Sequence, residues 1–427
     1  MHATTTHPSE NKAVFGLQPL AKPLALLASR HNCVANAMRK GKSELQPRRF
    51  TVDGSEALER HLSRVCRRIR DELRAAIPSS TLKGVMLGGG YGRGEGGVLR
   101  TTHGDQPYND LEFYVLVQDR LGFARRRSRR ALQQLHEPLS ALAGVEVEFK
   151  LLTLDALRRS APTMFYYDLV MGHRWLIGEP SLLAGCERHR DASRIPLHEA
   201  TRLWMNRATG LLFAAERLRR PTFSADDADF VGRNLAKAQL AFGDIVLTAR
   251  GEYHWSCRER NRRLHELKVA DLPINFSELC RHHDTGVEFK LHPVRATANR
   301  EVLAREHREL VRLAGELLLW LESRRLGTPF ASLRDYAFSR ANKCPETAAW
   351  KNWLITTRAL GAREGLRRES QRYPRERLLT SLALLLGGDS DALDDRSLRL
   401  LQRQLCTRAT DFTALVAAHE NLWRRFG

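Results

Sequence analysis

Apolar residues recur at helical spacing from Ser55 onward. Leu58, Leu62, Val65, Ile69 and Leu73 fall on one face of SEALERHLSRVCRRIRDELRAA. Ser55 is placed to cap this helix, and Pro78-Ser79-Ser80 to end it. A short apolar run, Leu82 to Leu87, reads as a strand running straight into glycines. Gly92 to Leu99 reads as the first turns of a helix, and residues 101–109 (TTHGDQPYN) as a loop. Leu111–Val117 reads as a second strand, and alternation over Val145–Leu152 predicts a third. A basic helix from about Phe123 to Leu142 separates them. Leu154 to Arg159 begins another helix, and Tyr166 to Gly178 forms a further short segment.

The pattern changes after Pro196. Strand signals nearly vanish, and amphipathic stretches follow at 198–219, 226–250, 300–326, 346–370, 375–387 and 396–425. Leu310, Leu313, Leu317, Trp320 and Leu321 illustrate the spacing. The expected fold class is α+β: a small mixed-sheet core at 53–190, then a large all-helical remainder. That remainder divides into a helical bundle at 196–270, a candidate substrate platform, and a C-terminal helical region at 300–427. Residues 1–52 show no sustained periodicity and read as an unstructured start.

Composition narrows the class. No apolar run reaches the ~18 residues that span a bilayer, so no membrane partner is expected. The seven cysteines are scattered without a CxxC pair, which fits a reducing, cytoplasmic setting better than a disulfide framework. Cys280 stands near His282 and His283, but no second pair completes a zinc site. The formal charge is +20, with arginine clusters at 125–130, 216–220 and 258–263. Such a field attracts polyanions, and RNA is one candidate partner. Solvated helix faces give the same composition.

The chemistry concentrates in LGGGYGRGEGGVLRTTHGDQPYNDLEFYV, Leu87 to Val115. Glycines let the backbone turn sharply and let an anion approach closely. Arg93 stands in the turn as a phosphate or carboxylate partner. Asp110 and Glu112 follow, two apart in a strand and therefore on one face. Ionised acids so close repel unless a cation sits between them. Mg²⁺ binds through one or two carboxylates plus substrate phosphate oxygens. A third acid on the next strand would complete a two-metal site and suit a general base. Glu148 is favoured, with Glu146 the alternative.

In this order the run resembles the nucleotidyltransferase superfamily that includes DNA polymerase β and the aminoglycoside nucleotidyltransferases. Gly89 and Gly90 match its Gly-Gly/Ser pair, and Gly92-Arg93-Gly94 its Ala-Arg-Gly segment. Asp110 and Glu112 match its paired acids, and Glu148 or Glu146 its third. Tyr167-Asp168-Leu169-Val170 and Leu176-Ile177-Gly178-Glu179 are similar to the segment closing such cores. Asn234-Leu235-Ala236-Lys237 and Gly251-Glu252-Tyr253-His254 loosely resemble the family's appended helical domains. The resemblance implies an NTP substrate on Gly89, Gly90, Arg93 and Lys237, and Mg²⁺ or Mn²⁺, as two ions, on Asp110, Glu112 and Glu148. It implies transfer of a nucleoside monophosphate to an acceptor hydroxyl on a small molecule, a protein or an RNA 3′ end. Two departures stand out: fourteen residues separate Glu95 from Asp110, about twice the usual spacing, and the second and third acids are Glu. They leave a second expectation, a non-catalytic nucleotide- or RNA-binding regulator on a decayed core.

Overall fold

The computed structural model describes residues 49–118, 123–268, 272, 274–296, 299–387 and 393–427. It is a mixed α+β protein in two compact units. The sheet unit comprises the described residues up to Ala161 together with Gly172–Glu187. The helical unit comprises Pro162–Met171 and Arg188–Gly427.

The sheet unit runs α1 (Glu56–Ala76), β1 (Leu82–Leu87), α2 (Gly89–Arg93), β2 (Val98–Thr101), β3 (Gly104–Pro107), β4 (Leu111–Val117), α3 (Phe123–Ala143), β5 (Val147–Leu152) and α4 (Leu154–Arg159). The chain then enters the helical unit as α5 (Met164–Met171) and returns as β6 (Arg174–Ile177). The main sheet has the order β5-β4-β1-β6. β1 is antiparallel to β4 and β6, whereas β4 and β5 are parallel. That parallel crossover is made by α3, the helix between the two strands. Leu58, Leu62, Ile69 and Leu73 of α1 pack with Leu132 and Leu139 of α3 on Val85, Leu87, Leu111, Phe113 and Val115. Alternation therefore commits Leu111, Phe113 and Val115 to the core and turns Glu112 and Tyr114 to the other face.

Three expectations need correction here. The helix read over 92–99 occupies Gly89–Arg93 instead. The glycines at 94, 96 and 97 cannot sustain it. The 101–109 loop is part of a hairpin, β2–β3, with Val98 opposite Pro107 and Thr101 opposite Gly104. The buried Tyr91 hydroxyl donates to Gly97 O (2.8 Å) and accepts from Tyr108 N (2.9 Å), joining both hairpin ends to α2. Asp105 accepts from Ser55 N at 2.7 Å, at the start of α1. Residues 49–52 are not part of an unstructured start. Glu59 accepts from Phe50 N (2.8 Å) and Thr51 N (3.0 Å), and both residues are buried. The rest of that segment, 1–48, lies outside the described residues.

The helical unit continues with α6 (Leu197–Leu218), α7 (Ala225–Arg250), α8 (Cys257–Glu266), α9 (Phe276–Leu291), α10 (Arg300–Leu326), α11 (Leu333–Phe338), α12 (Ala349–Leu360), α13 (Ala362–Gly365), α14 (Arg375–Gly387), α15 (Asp395–Leu405) and α16 (Phe412–Phe426). One hydrophobic cluster runs through it, from Trp204 and Phe242 to Leu317, Leu382 and Leu415. It therefore joins the two helical segments that the sequence separates at 270–300. The stretch 346–370 breaks at Gly361, and 396–425 breaks into α15 and α16 at Cys406. Among the described residues no helix is long and apolar enough to cross a membrane.

Candidate metal centre

The site grows out of the junction of β1 with β4. Leu87, the last residue of β1, pairs with Phe113, and Gly88 N–H then donates to Glu112 O at 2.8 Å. The glycine turn is thus fastened beside the acid-bearing strand. A Cβ on Gly88 would lie 2.4 Å from the Tyr114 ring, so only glycine fits. Gly89 has φ +60°, and a Cβ there would lie 3.5 Å from Glu112 Cδ. Both positions need glycine for a physical reason, and both bring main chain against the acid. Gly90 and Arg93 follow within α2, the first buried and the second half-buried.

Asp110 immediately precedes β4, and Glu112 is its second residue. Glu148 is the second residue of β5, and the parallel register sets it directly opposite Glu112. One carboxylate oxygen from each of Asp110, Glu112 and Glu148 lies within 4.8 Å of the others, and all three side chains are partly exposed. Among the described residues this is the one such cluster of potential metal ligands. Glu146 is outside it. Its carboxylate stands 3.6 Å from His136 Nε2, and its main-chain oxygen accepts from Leu111 N. The register therefore selects Glu148 over Glu146. Lys237 lies half-buried on α7 in the helical unit, whereas the cluster is made wholly by the sheet unit.

Two members of the site were missed from the sequence. Lys150 Nζ stands 3.0 Å from Glu148 Oε2 and 3.4 Å from Glu112 Oε2. It also lies 5.4 Å from the centroid of the Tyr114 ring. The Tyr114 hydroxyl donates to Glu112 Oε2 at 2.6 Å. Burial first, then the charge of Glu112, holds the phenol well above its ordinary pKa, while Arg93 opposes the shift. Tyr114 therefore remains a donor at neutral pH. The signal was present: Tyr114 follows Glu112 by two residues, and Lys150 follows Glu148 by two, so all four share one sheet face.

Tyr253 and Asp168, both in segments named for the family resemblance, belong to the helical unit. Tyr253 is buried, packs edge-on against Tyr167 at 5.8 Å and donates to Asp168 at 3.2 Å. That is a core contact.

The sequence matches no family model and no curated protein. The functional reading therefore rests on the geometry of this site and on its motif order.

Proposed function

We propose that this protein is a divalent-metal-dependent nucleotidyltransferase, moving a nucleoside monophosphate from an NTP to an acceptor hydroxyl. One observation carries the reading. Three carboxylates, two on adjacent strands and one just before β4, converge beside a glycine turn whose Gly88 N–H donates to the main-chain oxygen of Glu112. The donor set fits the expected ion: it is all carboxylate oxygen, with no thiolate or imidazole, which suits Mg²⁺ or Mn²⁺. Three carboxylates gathered on one partly exposed face attract a divalent ion. Asp110, Glu112 and Glu148 would hold it, and when bound it would offset charge developing on the transferred phosphoryl group.

The remaining roles fall to the chain's own groups. The first peptide N–H groups of α2, at Gly89 and Gly90, lack intrahelical acceptors and can receive phosphate oxygens. Arg93 adds a positive charge from the same turn. Lys150 and Tyr114 hold the Glu112 and Glu148 carboxylates in place. Glu148 takes the acceptor's proton as the hydroxyl oxygen bonds to the α-phosphorus. The bond from that phosphorus to the bridging oxygen breaks, and pyrophosphate leaves.

Arg125, Arg126, Arg127, Arg129 and Arg130 are exposed on α3, which packs on the sheet face opposite the acids, so the acceptor, RNA or small molecule, is decided by binding. RNA binding that weakens steeply with salt supports an RNA acceptor, and salt-insensitive or absent binding removes it. The decisive assay incubates the protein with labelled NTPs and Mg²⁺, against Asp110→Ala. Transfer by the wild type alone supports the reading, and equal NTP binding and turnover in both ends it. A second reading, a regulator that binds nucleotide without turnover, is favoured by the Lys150 ion pairs, which already engage two of the three acids. It predicts NTP binding that Asp110→Ala weakens, with no product from either protein.

A further inference from the structure

A second imbalance of charge, opposite in sign, lies in the helical unit. His198 and Arg202 of α6, Arg325 of α10, Lys343, and Arg375 of α14 line a pocket of about 30 Å³. Glu346 is the acid in its wall. Two of the cations have their own counter-ions. Arg202 pairs with Glu199, and Arg325 pairs with Glu322 at 2.7 Å and Glu346 at 2.8 Å. That commits Glu346.

Lys343 and Arg375 have no such partner. Lys343 is 2% exposed, yet its ammonium reaches only Ser339 O, at 3.4 Å, and the Tyr336 ring, at 5.0 Å. Arg375 donates through Nε to Phe426 O at 3.2 Å and stands 5.0 Å from the Tyr373 ring. Among the described residues neither has a carboxylate within ion-pair distance. Burial pushes the pKa of both groups down, more than the nearby charges of Glu376 and Glu322 raise it at Lys343 or that of Glu199 at Arg375, where Arg202 adds to the fall. A buried cation without a counter-ion is costly, so such a pair at one pocket is a place prepared for a missing negative charge.

We infer that this pocket binds a phosphate dianion, either free or as the terminal group of a phosphomonoester. Two unmatched cations balance a dianion, whereas a carboxylate would balance one of them. The guanidinium of Arg375 keeps four N–H donors beyond Nε, in the fork that grips tetrahedral oxyanions. The pocket encloses only about 30 Å³, so it takes a small group. The site is independent of the carboxylate cluster and of the activity proposed for it.

Equilibrium dialysis of the full chain with labelled inorganic phosphate tests this, at constant ionic strength. A parallel arm uses phenyl phosphate, and thermal unfolding with each ligand accompanies both. Saturable binding with a rise in Tm is expected, weakened at least about tenfold in Arg375→Met. Asp110→Ala should bind as the wild type does. Preference for inorganic phosphate assigns the free ion, and preference for phenyl phosphate assigns a monoester. Lys343→Met provides a second route should Arg375→Met fail to fold. It removes an unmatched buried charge, so without phosphate its Tm should hold or rise, while its gain from phosphate should vanish. Absence of saturable binding in both arms overturns the inference, as does binding that both variants retain in full.

Discussion

In the sheet unit, Asp110, Glu112 and Glu148 meet one ammonium, Lys150, and remain partly open to solvent. In the helical unit, the buried Asp244 meets Arg260 at 2.6 Å and His283 at 3.2 Å. Arg260 also donates to His254 O at 2.8 Å, and Asn261 donates to His283 Nδ1 at 3.1 Å. The residue types are alike, but the balance is not. Asp244 is neutralised by Arg260, and its Oδ1 also meets His283 Nε2. The triad gathers three carboxylates on a half-exposed face. Acids that serve only the fold are brought to neutrality by their own neighbours, because burial makes any other arrangement costly. An imbalance that persists next to solvent is affordable for the fold, and it is where an outside ion can act.

The largest effect that would break this comparison is on transfer. Asp110→Ala should lower turnover by about 10³-fold or more, several kcal/mol of lost charge stabilisation. Its thermal stability should hold or rise, since one of three repelling carboxylates is gone. Asp244→Ala should do the reverse. Leaving Arg260 buried without its partner should cost about 3–5 kcal/mol in denaturant unfolding, with the folded fraction still active. If Asp110→Ala instead unfolds the protein and Asp244→Ala leaves its stability untouched, the two clusters have been assigned the wrong way round.

A titration sharpens the same contrast within the helical unit. His419 is fully buried, with Ser381 Oγ at 2.8 Å and Thr209 Oγ1 at 3.3 Å from its ring nitrogens. Burial lowers its pKa from 6.5 to about 3. The unfolded chain therefore takes up a proton between these values while the folded chain does not. Stability is full above pH 6.5 and falls as the pH drops toward 3, by up to about 1.4 kcal/mol per pH unit. Urea unfolding across that window should show the slope, and His419→Gln should remove most of it. A wild-type stability that is flat from pH 6.5 to pH 4 would show that His419 is protonated in the folded protein.

The sequence made the two acid-bearing strands legible because each presents a buried face and a polar face at period two. It left the third acid open, because the choice between Glu146 and Glu148 depends on how far β5 slides along β4, and a single chain does not encode that offset locally. Lys150 and Tyr114 share the acids' period but escaped notice because cross-strand neighbours are invisible without a register. The β2–β3 hairpin was hidden for another reason: of its eight residues only Val98 is buried, so no apolar alternation marks it. α8 was missed because its inward face is Cys257, Arg260 and Leu264. A buried arginine does not read as core until its carboxylate is found on another helix.

Lys150 tests the charge balance directly. Counting bound Mn²⁺ by electron paramagnetic resonance should give one ion per wild-type chain. Lys150→Met should bind that ion about tenfold more tightly, as expected for losing one partly screened positive charge at contact distance. Unchanged affinity would mean that the ammonium does not reside among the carboxylates in solution, and no bound ion at all would remove the metal-dependent reading itself.

Tyr114→Phe is the smallest change that still separates the two regions. It removes one hydroxyl donor to Glu112 and leaves the ring under Lys150 in place. A single hydrogen bond to a charged group contributes about 1.5–3 kcal/mol when buried, and solvent at the half-exposed Glu112 carboxylate should reduce that to about 1 kcal/mol. The expected result is a several-fold fall in transfer and in Mn²⁺ affinity with little change in Tm. The matching deletion in the compensated network, Tyr253→Phe, removes the donor to the Asp168 carboxylate. It should lower Tm and leave Mn²⁺ binding alone. Were both variants to lose stability alike and Mn²⁺ affinity not at all, Glu112 would belong with Asp244 as an acid that holds the fold together.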